Sequence, residues 1–231
     1  MPDIEDSERH IEALTRISRA ISSDRYIEDI LRLVVTVTAE TMRSKICSLW
    51  LLDSADKAFK LRATQSISED YLKERSLKMG EGIVGHVALT GKPRSVLNVL
   101  EDPDNKEKEL ARKENLVSML SVPMVRKETV IGVLNCYTSH PHEFTETETN
   151  VLITVAGAAA AAIENTELMV KTKVISEELE SRKLVERAKD ILMGHRGMSG
   201  ADAYRWIQRR SMDARKSMRE IAEAIILTEE M

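Results

Sequence analysis

One stretch of this 231-residue chain limits its possible folds more than any other feature. Residues 145–193 contain no proline, and Gly157 is their only glycine. Because these two residue types most often end helices, the stretch predicts one helix far longer than the usual three turns. Thr145 and Glu148 have the spacing of a capping box at its start. Such a helix divides the chain into two parts.

Charge divides the chain at a similar place. The whole sequence has a formal net charge of -4 at pH 7. Residues 181–219 nevertheless contain eleven lysines and arginines against four aspartates and glutamates, so this segment carries about +7 and the remainder about -11. A large acidic part is therefore followed by a small basic one.

The larger, N-terminal part has the pattern of an α+β fold. Apolar residues recur at helical spacing through residues 27–42, and residues 46–53 and 59–66 predict two paired strands. Two later strand-like runs lie on either side of a Lys-Glu pair and predict a central hairpin. Pro123, within the first of these runs, is expected at a sheet edge or a strand start, because proline cannot donate to a sheet ladder.

A glycine-rich turn lies between these predicted pairs of strands. Gly80, Gly82 and Gly85 form a G-x-G-x-x-G pattern, which in a dinucleotide site follows an apolar strand and opens a full helix. Here the preceding YLKERSLKM is charged, and only a short helix fits before Gly91 and Pro93. The pattern therefore favours a glycine turn that caps a short helix over a nucleotide site.

Several segments of this part resemble the GAF domain. CSLWLLD, LRATQSIS, GEGIVGHVALTGKP and VIGVLNCYTSHPHEF occur in the order and spacing of that family, across roughly residues 11–168. The resemblance implies a six-stranded antiparallel sheet with helices on one face and a ligand pocket on the other, under a mobile loop-helix region. Functions differ widely within the family, so the fold alone does not name the ligand.

The same resemblance implies which residues line the pocket, on the central strands and on the short glycine-rich helix. They are Cys47, Leu49, Trp50, Gly82, Val84, Ser121 and Asn135. Ordinary core packing is the alternative for each of them. Members of the family that bind cyclic nucleotides carry an Asn-Lys-Phe-rich signature where this chain has NCYTSHPHEF. Cyclic nucleotide is therefore not expected, and the cofactor or effector is unknown.

Other residues give weak signals for a metal or catalytic site. Cys47 and Cys136 are expected to be reduced, buried side chains. His140 and His142 flank Pro141 in the pattern of an extended turn before a helix, and no cysteine or aspartate cluster joins them. The other histidines are isolated: His10, His86 and His195. With no nucleophile elbow in the sequence, neither a metal site nor an enzyme is expected.

The sequence gives no sign of export or membrane insertion. Its first residues are charged throughout and do not resemble a signal peptide. The most apolar run, at residues 151–163, is rich in alanine and too short to span a bilayer. A cytoplasmic protein with no membrane partner is expected.

The long helix contains a broken heptad pattern. One heptad position holds Ile163, Val170, Leu184 and Ile191, and Val174 and Ala188 lie near the companion position. Glu177 and Ser181 interrupt this seam. The pattern allows a parallel coiled-coil dimer. The alternative is that residues 152–163 pack on the sheet and the rest forms a solvated connector.

The basic C-terminal part predicts three helical segments within residues 183–231. Ser199 with Asp202, and Ser217 with Glu220, have the spacing of N-terminal caps for the second and third segments. Apolar residues on each segment are spaced so that the three could close a small core.

So many guanidinium groups in a small module repel one another unless a polyanion or an acidic partner neutralises them. Arg182, Lys189 and Arg196 recur every seven residues and so share one face of the first segment. Tyr204 lies beside further arginines on the second, which suits stacking on an unpaired base with phosphate contacts. A solvated basic face with a half-buried Tyr204 is the alternative.

Residues 179–227 resemble the ANTAR domain, the RNA-binding module of bacterial transcription antiterminators, whose members bind short hairpin loops in nascent leader transcripts. The matching positions are Ala188, Lys189, Leu192, Met193, Gly197, Ser199, Ala203, Tyr204, Ser211, Met212 and Ala222. Asp190 and Gln208 depart from the family pattern, at a usual glycine and a frequent arginine. The basic pattern and the resemblance together predict an RNA-binding set of Arg182, Lys189, Arg196, Tyr204, Arg205, Arg209, Arg210, Arg215 and Lys216.

These features predict a GAF-like sensor domain at residues 1–168, a helical linker at 169–180 and an ANTAR-like three-helix domain at 181–231. The hypothesis is a signal-responsive RNA-binding regulator that acts by transcription antitermination on hairpins in nascent leader mRNA. Its expected partners are RNA hairpins, an unidentified small-molecule effector or sensor protein, and a second copy of the chain. The alternative is a sensor protein whose basic module binds an acidic protein partner or DNA.

Overall fold

The computed structural model describes residues 2–21 and 26–229 of the chain. The chain divides into two compact units, Met1–Thr166 and Glu167–Met231. A six-stranded sheet with helices forms the first unit, and helices alone form the described part of the second. The predicted α+β class is confirmed.

The helices and strands follow one another along the chain in this order. The first unit contains α1 (Pro2–Ile21), α2 (Ile27–Thr41), β1 (Ile46–Asp53), β2 (Ala58–Thr64), α3 (Glu69–Leu72), β3 (Ser76–Lys78), α4 (Gly82–Thr90), β4 (Arg94–Val96), α5 (Lys108–Lys113), β5 (Met119–Arg126) and β6 (Thr129–Tyr137). The predicted long helix is α6 (Glu146–Arg196), and it is followed by α7 (Gly200–Ala214) and α8 (Met218–Glu229).

The sheet has the strand order β3-β2-β1-β6-β5-β4, and each neighbouring pair is antiparallel. β5 and β6 form the predicted central hairpin. β4 pairs with β5 only as far as Ser121, so Pro123 lies where the outer side of β5 has no paired strand among the described residues. The expectation of an edge position for this proline is confirmed.

The two faces of the sheet are covered by different elements. On β1, the side chains of Cys47 and Leu49 join a core with α1, α2 and the first turns of α6. Trp50, the next residue, joins a separate cluster on the opposite face, against α4. Because successive side chains of a strand point to opposite faces, these neighbours belong to different cores.

The first part of α6 closes the larger core. Leu152, Val155, Ala156 and Ala159 are buried against the sheet and the other helices. By length and composition alone, α6 is the one described helix that could cross a membrane. Burial of these apolar side chains in the sheet domain accounts for that composition, so it is weak evidence for a membrane span.

The glycine-rich segment forms a tight turn that leads into α4. Gly80 and Gly82 have φ angles of 79° and 66°, in the left-handed region that favours glycine. A Cβ on Gly85 would lie 2.2 Å from the backbone oxygen of Lys78. Since α4 is short, ends at Gly91 and packs on an antiparallel sheet, the turn interpretation is confirmed over the dinucleotide one.

The second unit is a small three-helix module. The C-terminal part of α6 packs with α7 and α8 around a core of Val185, Ala188, Leu192, Ala203, Ile207, Ala222 and Ile226. Ala203 and Ile207 are fully buried in it, so the predicted closure of a small core is correct.

Side-chain caps begin its helices as predicted. The Ser199 hydroxyl accepts a hydrogen bond from the backbone amide of Asp202 at 3.2 Å, at the start of α7. Ser217 and Glu220 form a reciprocal pair before α8, with the Ser217 amide donating to the carboxylate at 2.8 Å. Each such cap satisfies a backbone donor that the first helical turn leaves free.

Gly85→Ala is expected to lower the free energy of unfolding by at least about 2 kcal/mol, because the added methyl would meet backbone atoms that cannot move aside. Gly157→Ala is the matched control, since nothing lies within 4 Å of a Cβ at that position in α6. It should raise the free energy of unfolding by up to about 1 kcal/mol. Urea denaturation followed by circular dichroism measures both, and equal stability of the two variants would contradict the close approach at Gly85.

Candidate nucleic-acid interface and sensor pocket

α7 determines how the predicted RNA-binding residues are distributed. Its inner face carries Ala203 and Ile207, which belong to the module's core. With 3.6 residues per turn, Tyr204 lies on one flank of that face, Trp206 lies on the other, and Arg209 points outward. The members of the predicted set on α7 and those around it therefore do not form one surface.

A groove of about 860 Å³ lies on the Tyr204 side of the module. Tyr204, which is 43% exposed, lines it together with Arg182, Val185 and Glu186. The Lys189 ammonium group donates hydrogen bonds to both carboxylate oxygens of Glu186, at 3.0 and 2.7 Å. One predicted phosphate contact, Arg182, thus adjoins the aromatic ring, whereas Lys189 is paired with a carboxylate at the edge of the groove.

A second groove, of about 530 Å³, lies on the Trp206 side. The guanidinium groups of Arg196 and Arg210 lie over the indole ring of Trp206, at 5.1 and 5.6 Å from the ring centroid. The apolar side chains Ile191, Ile221 and Ile225 also line this groove, together with the predicted contact Lys216. Trp206 was not among the predicted residues, although its spacing of four residues from Arg210 was a helical signal for the contact.

Most of the predicted basic side chains have no acidic partner. Among the described residues, no carboxylate lies within 4.0 Å of six of them: Arg182, Arg196, Arg209, Arg210, Arg215 and Lys216. Arg205 is 4.0 Å from Asp202. By contrast Arg219, which was not predicted, is bonded to Glu223 at 2.9 Å, and this hydrogen bond raises the pKa of its guanidinium.

The structure corrects the predicted pocket of the sheet domain. Cys47 and Leu49 lie in the core on the helix-covered face, so they cannot line a cavity on the opposite face. Side chains alternate between the two faces of a strand, so Trp50 points away from Leu49, and the prediction had placed both in one pocket. The sequence neighbours of Ser121 and Asn135 belong to the core on the helix-covered face. Ser121 and Asn135 therefore lie on the same face as Trp50.

This second face carries a buried polar cluster formed by Ser48, Trp50, Tyr71, Arg75, Glu107, Ser121 and Asn135. The Arg75 guanidinium lies 4.7 Å from the Tyr71 ring centroid and 2.7 Å from a carboxylate oxygen of Glu107. Burial raises the pKa of the Tyr71 hydroxyl, although a hydrogen bond with Ser48 opposes the shift. Sequence reasoning missed Tyr71, Arg75 and Glu107, because no local pattern connects residues so far apart.

Two donors in this cluster have no hydrogen-bond partner among the described residues. The Ser121 hydroxyl donates to the Asn135 side-chain oxygen at 2.7 Å, which leaves the buried amide nitrogen of Asn135 unpaired. The Nε of Arg75 is likewise buried and unpaired. A buried unpaired donor is costly, so each is a position where an acceptor atom of a ligand would be stabilised.

The remaining predicted pocket residues border very little free space. Gly82 and Val84, with Glu107 and Tyr137, line a cavity of only about 10 Å³. A small molecule could therefore enter only after side chains on this face move apart. α3, β3 and α5, which carry or adjoin Tyr71, Arg75 and Glu107, are the elements that would have to shift.

Fold and site together define a regulatory protein with a sheet domain and a basic helical module. The GAF domain family matches residues 24–164, and the ANTAR domain matches residues 174–226. The chain belongs to the GAF domain family, since that match covers more than half of its length. It is a GAF domain followed by an ANTAR domain, the architecture of a transcription antitermination regulator.

Curated relatives match one part of the chain or the other. The transcriptional regulatory protein PdtaR of Mycobacterium tuberculosis (strain ATCC 25618 / H37Rv) is 48% identical over 65 residues, which are 28% of this chain and 32% of that protein. The phosphoenolpyruvate-dependent phosphotransferase system protein of Escherichia coli (strain K12) is 25% identical over 155 residues, 67% of this chain and 21% of that one. The chain thus spans about a third or less of the length of these relatives.

Solved structures share the fold of the sheet domain. The GAF domain of a phosphoenolpyruvate-protein phosphotransferase from Coxiella burnetii has a TM-score of 0.65 and 24% identity, and the match covers 71% of this chain and 98% of that one. A free methionine-R-sulfoxide reductase from Neisseria meningitidis has a TM-score of 0.61 and 21% identity, covering 69% and 91%. At these identities the likeness shows the fold alone.

Cys47 and Cys136 provide a test of the corrected pocket. They are direct partners across β1 and β6, and both are fully buried. Burial, reinforced by the hydrogen bond with Cys136, raises the pKa of the Cys47 thiol well above its usual value. Both thiols should react with iodoacetamide at least about a hundredfold more slowly than free cysteine in the native protein, and at the normal rate in 8 M urea. Rapid labelling of Cys47 in the native protein, read by peptide mass spectrometry, would show that the helix-covered face of the sheet is open to solvent.

Proposed function

We propose that the protein is a signal-responsive RNA-binding regulator that acts by transcription antitermination on hairpins in nascent leader mRNA. Its work is binding and not catalysis, and its place is the cytoplasm, where nascent transcripts of bacteria are found. The observation that carries this proposal is a set of six basic side chains on the module for which the described residues include no acidic partner, one of which, Arg182, lies beside the exposed Tyr204.

The chemistry of an RNA hairpin fits this surface. Phosphates neutralise guanidinium and ammonium groups and release counterions, which supplies affinity without sequence preference. An unpaired loop base exposes a flat face that an aromatic side chain can stack on. Tyr204 is half-exposed and stands next to Arg182, so it is the ring on this module that is placed to do so.

Replacing Arg182 and Arg209 by glutamine is expected to flatten the log-log salt dependence of RNA binding by about one to two units, because each lost phosphate contact removes somewhat less than one released counterion. The probe is a pool of RNA hairpins with randomised loops, enriched on the full chain. Fluorescence anisotropy across a series of salt concentrations measures the slope.

The matched control replaces Arg62 and Arg112, which are exposed on the sheet domain, by glutamine. An unchanged slope in the module variant, or the same change in the control, would contradict the proposed contacts. Duplex DNA of equal length serves as competitor, and equal affinity for it would favour the DNA alternative over RNA.

The sensor role is supported by the buried polar cluster. The unpaired donors on Asn135 and Arg75 suit an effector that carries hydrogen-bond acceptors, such as a carbonyl or a carboxylate. The ion pair of Arg75 with Glu107 joins two segments that cover this face. We therefore propose that effector binding separates this pair and opens the face, which gives the signal a physical means of changing the domain.

A homodimer through α6 is also part of this proposal, but with a corrected seam. Ile163 is buried in the sheet-side core, and Leu184, Ala188 and Ile191 pack in the module's core. These four predicted seam residues therefore already pack inside the chain and are not available to contact a second copy. The segment between the two cores instead exposes Leu168, Ile175 and Leu179, each at least 53% exposed.

Those three residues lie at spacings of seven and four, so they form one stripe along the helix. Val170 and Val174, which belong to the originally predicted seam, lie about 200° and 240° around the helix from Leu168 and so face elsewhere. A second copy of the chain would bury the stripe, as the coiled-coil seam requires.

Leu168→Lys with Ile175→Lys is expected to yield monomers, because like charges would face each other in the seam. Val170→Lys with Val174→Lys is the matched control and should remain dimeric. Analytical ultracentrifugation measures the oligomeric state of both variants and of the parent. A monomer only in the valine variant would restore the original register, and a monomeric parent would exclude the dimer.

One observation favours the alternative of an acidic protein partner. The Trp206 groove combines an aliphatic floor, from Ile191, Ile221 and Ile225, with the cations Arg196 and Arg210. Both guanidinium groups already lie over the Trp206 ring, so a base has less access to it than an apolar side chain has to the floor. If Trp206→Ala leaves RNA affinity unchanged in a folded protein, this groove is left for such a partner.

A further inference from the structure

The Trp206 groove lies wholly within the helical module, between the end of α6, one flank of α7 and one face of α8. Along α8 it is lined by Ile221, Ala224, Ile225 and Thr228. Residues at these spacings share one face of a helix, and at 1.5 Å per residue they extend for about 10 Å. The Thr228 hydroxyl donates to the Ala224 carbonyl at 2.7 Å, so it already has a partner. The α8 side of the groove is therefore a mainly apolar ridge about two helical turns long.

The larger apolar side chains of this groove are only partly covered. Ile191, Trp206, Ile221 and Ile225 pack against the module's core, but each of them remains partly exposed. Ile207, a neighbour of Trp206 in the chain, is by contrast fully buried in that core. Partly exposed apolar side chains that gather in one groove are typical of a surface that another molecule covers.

Positive charge borders the same groove. Arg196, Arg210 and Lys216 line it, and no carboxylate of the described residues lies within 4.0 Å of any of the three. The one lining carboxylate, Glu220, accepts hydrogen bonds from the Ser217 amide and hydroxyl at 2.8 and 2.9 Å, and these lower its pKa. Apart from one histidine, the lining thus contains three cations and a single carboxylate that is already bonded elsewhere.

Two of these cations are held in place by the indole ring. The guanidinium groups of Arg196 and Arg210 lie 5.1 and 5.6 Å from the Trp206 ring centroid. A cation–π contact of this kind uses the charge of the guanidinium group and none of its N–H donors. The donors are therefore positioned at the border of the groove for an incoming carboxylate.

We propose that the Trp206 groove docks an amphipathic helix of a partner protein, with apolar anchors on one face and carboxylates along one edge. The anchors of such a helix, at positions i, i+3, i+4 and i+7, also extend for about 10 Å and so match the length of the α8 ridge. Its carboxylates would face the three cations. The proposal makes the acidic-partner alternative specific, and it does not depend on RNA binding by the module.

An RNA strand fits this groove less well than an acidic helix does. An unpaired base needs an open aromatic face, whereas two guanidinium groups already lie over Trp206. Phosphates would satisfy the cations but would leave the apolar ridge uncovered. Tyr204 lies about 200° around α7 from Trp206, so a helix in this groove leaves the Tyr204 side, with Arg182, to the transcript.

A phage-displayed library of helical peptides, selected on the full chain, tests the proposal. Its members carry leucine at positions i, i+3, i+4 and i+7 and are random elsewhere. The enriched sequences are expected to carry aspartate and glutamate along one edge of the leucine stripe. The most enriched peptide is then labelled, and its affinity for each variant is measured by fluorescence anisotropy.

Ala224→Glu tests whether this peptide occupies the groove. Ala224 is an exposed position on the ridge, and a carboxylate there would meet the apolar anchors and repel the acidic edge. Affinity for the peptide should fall at least about tenfold. The matched control is Ala201→Glu, at an exposed alanine in the first turn of α7 outside the groove, and it should bind as the parent does.

Arg210→Gln tests the charge of the groove. It should weaken peptide binding roughly three- to tenfold and reduce its salt dependence, because one charge pair with the peptide is lost. Arg209→Gln is the matched control, since it removes the neighbouring arginine, which does not line the groove.

Three results would overturn the proposal: no enrichment of any peptide on the parent, enrichment without acidic residues, or equal binding of the peptide by the Ala224→Glu and Ala201→Glu variants. If Ala224→Glu lowers the affinity for RNA hairpins and leaves peptide binding intact, the groove belongs to the transcript. Circular dichroism confirms that each variant is folded. Because hairpin affinity is measured separately on the same variants, a failure of the RNA proposal is distinguished from a failure of this one.

Discussion

The constraint on which the rest of the structure depends is that one continuous helix, α6, must serve two hydrophobic cores. Its first turns bury Leu152, Val155 and Ala159 against the sheet, and its last turns bury Val185, Ala188 and Leu192 in the helical module. Neither core can form without its end of the helix. Between them, residues 167–180 are exposed to solvent throughout.

This division explains why the heptad pattern was misleading. Apolar side chains that recur every three or four residues are needed for intrachain packing and for a coiled coil alike. Ile163, Leu184 and Ile191 satisfy the spacing of a seam but are used by the two cores. In the exposed middle of the helix, Leu168 and Ile175 follow a different register from Val170 and Val174, which are exposed as well.

Local signals in the sequence predicted a large part of the fold. The serine caps, the central hairpin, the glycine turn and the long helix each depend on neighbouring residues, and each is present. The pocket was harder, because β1 is buried on both faces and its run of apolar residues carries no alternation. The alternation of a strand already separates Cys47 from Trp50, but this run does not indicate which of the two faces the helices cover. The pairing of Arg75 with Glu107 depends on a tertiary contact that no spacing encodes.

The sheet face that carries the buried polar cluster is closed, which sets a condition on any signal that acts through it. A ligand can shift an equilibrium only by the difference between its affinities for two states, and its apparent affinity falls by the fraction of molecules that are already open. Opening here would separate Arg75 from Glu107 and expose Trp50, which is 1% exposed in the closed state. An effector must therefore offer contacts that compensate for the lost ion pair and must cover the apolar surface that opening exposes. An amphipathic molecule, with an acceptor for the free nitrogens of Asn135 and Arg75 and an apolar body against Trp50, meets this condition, whereas a small inorganic ion does not.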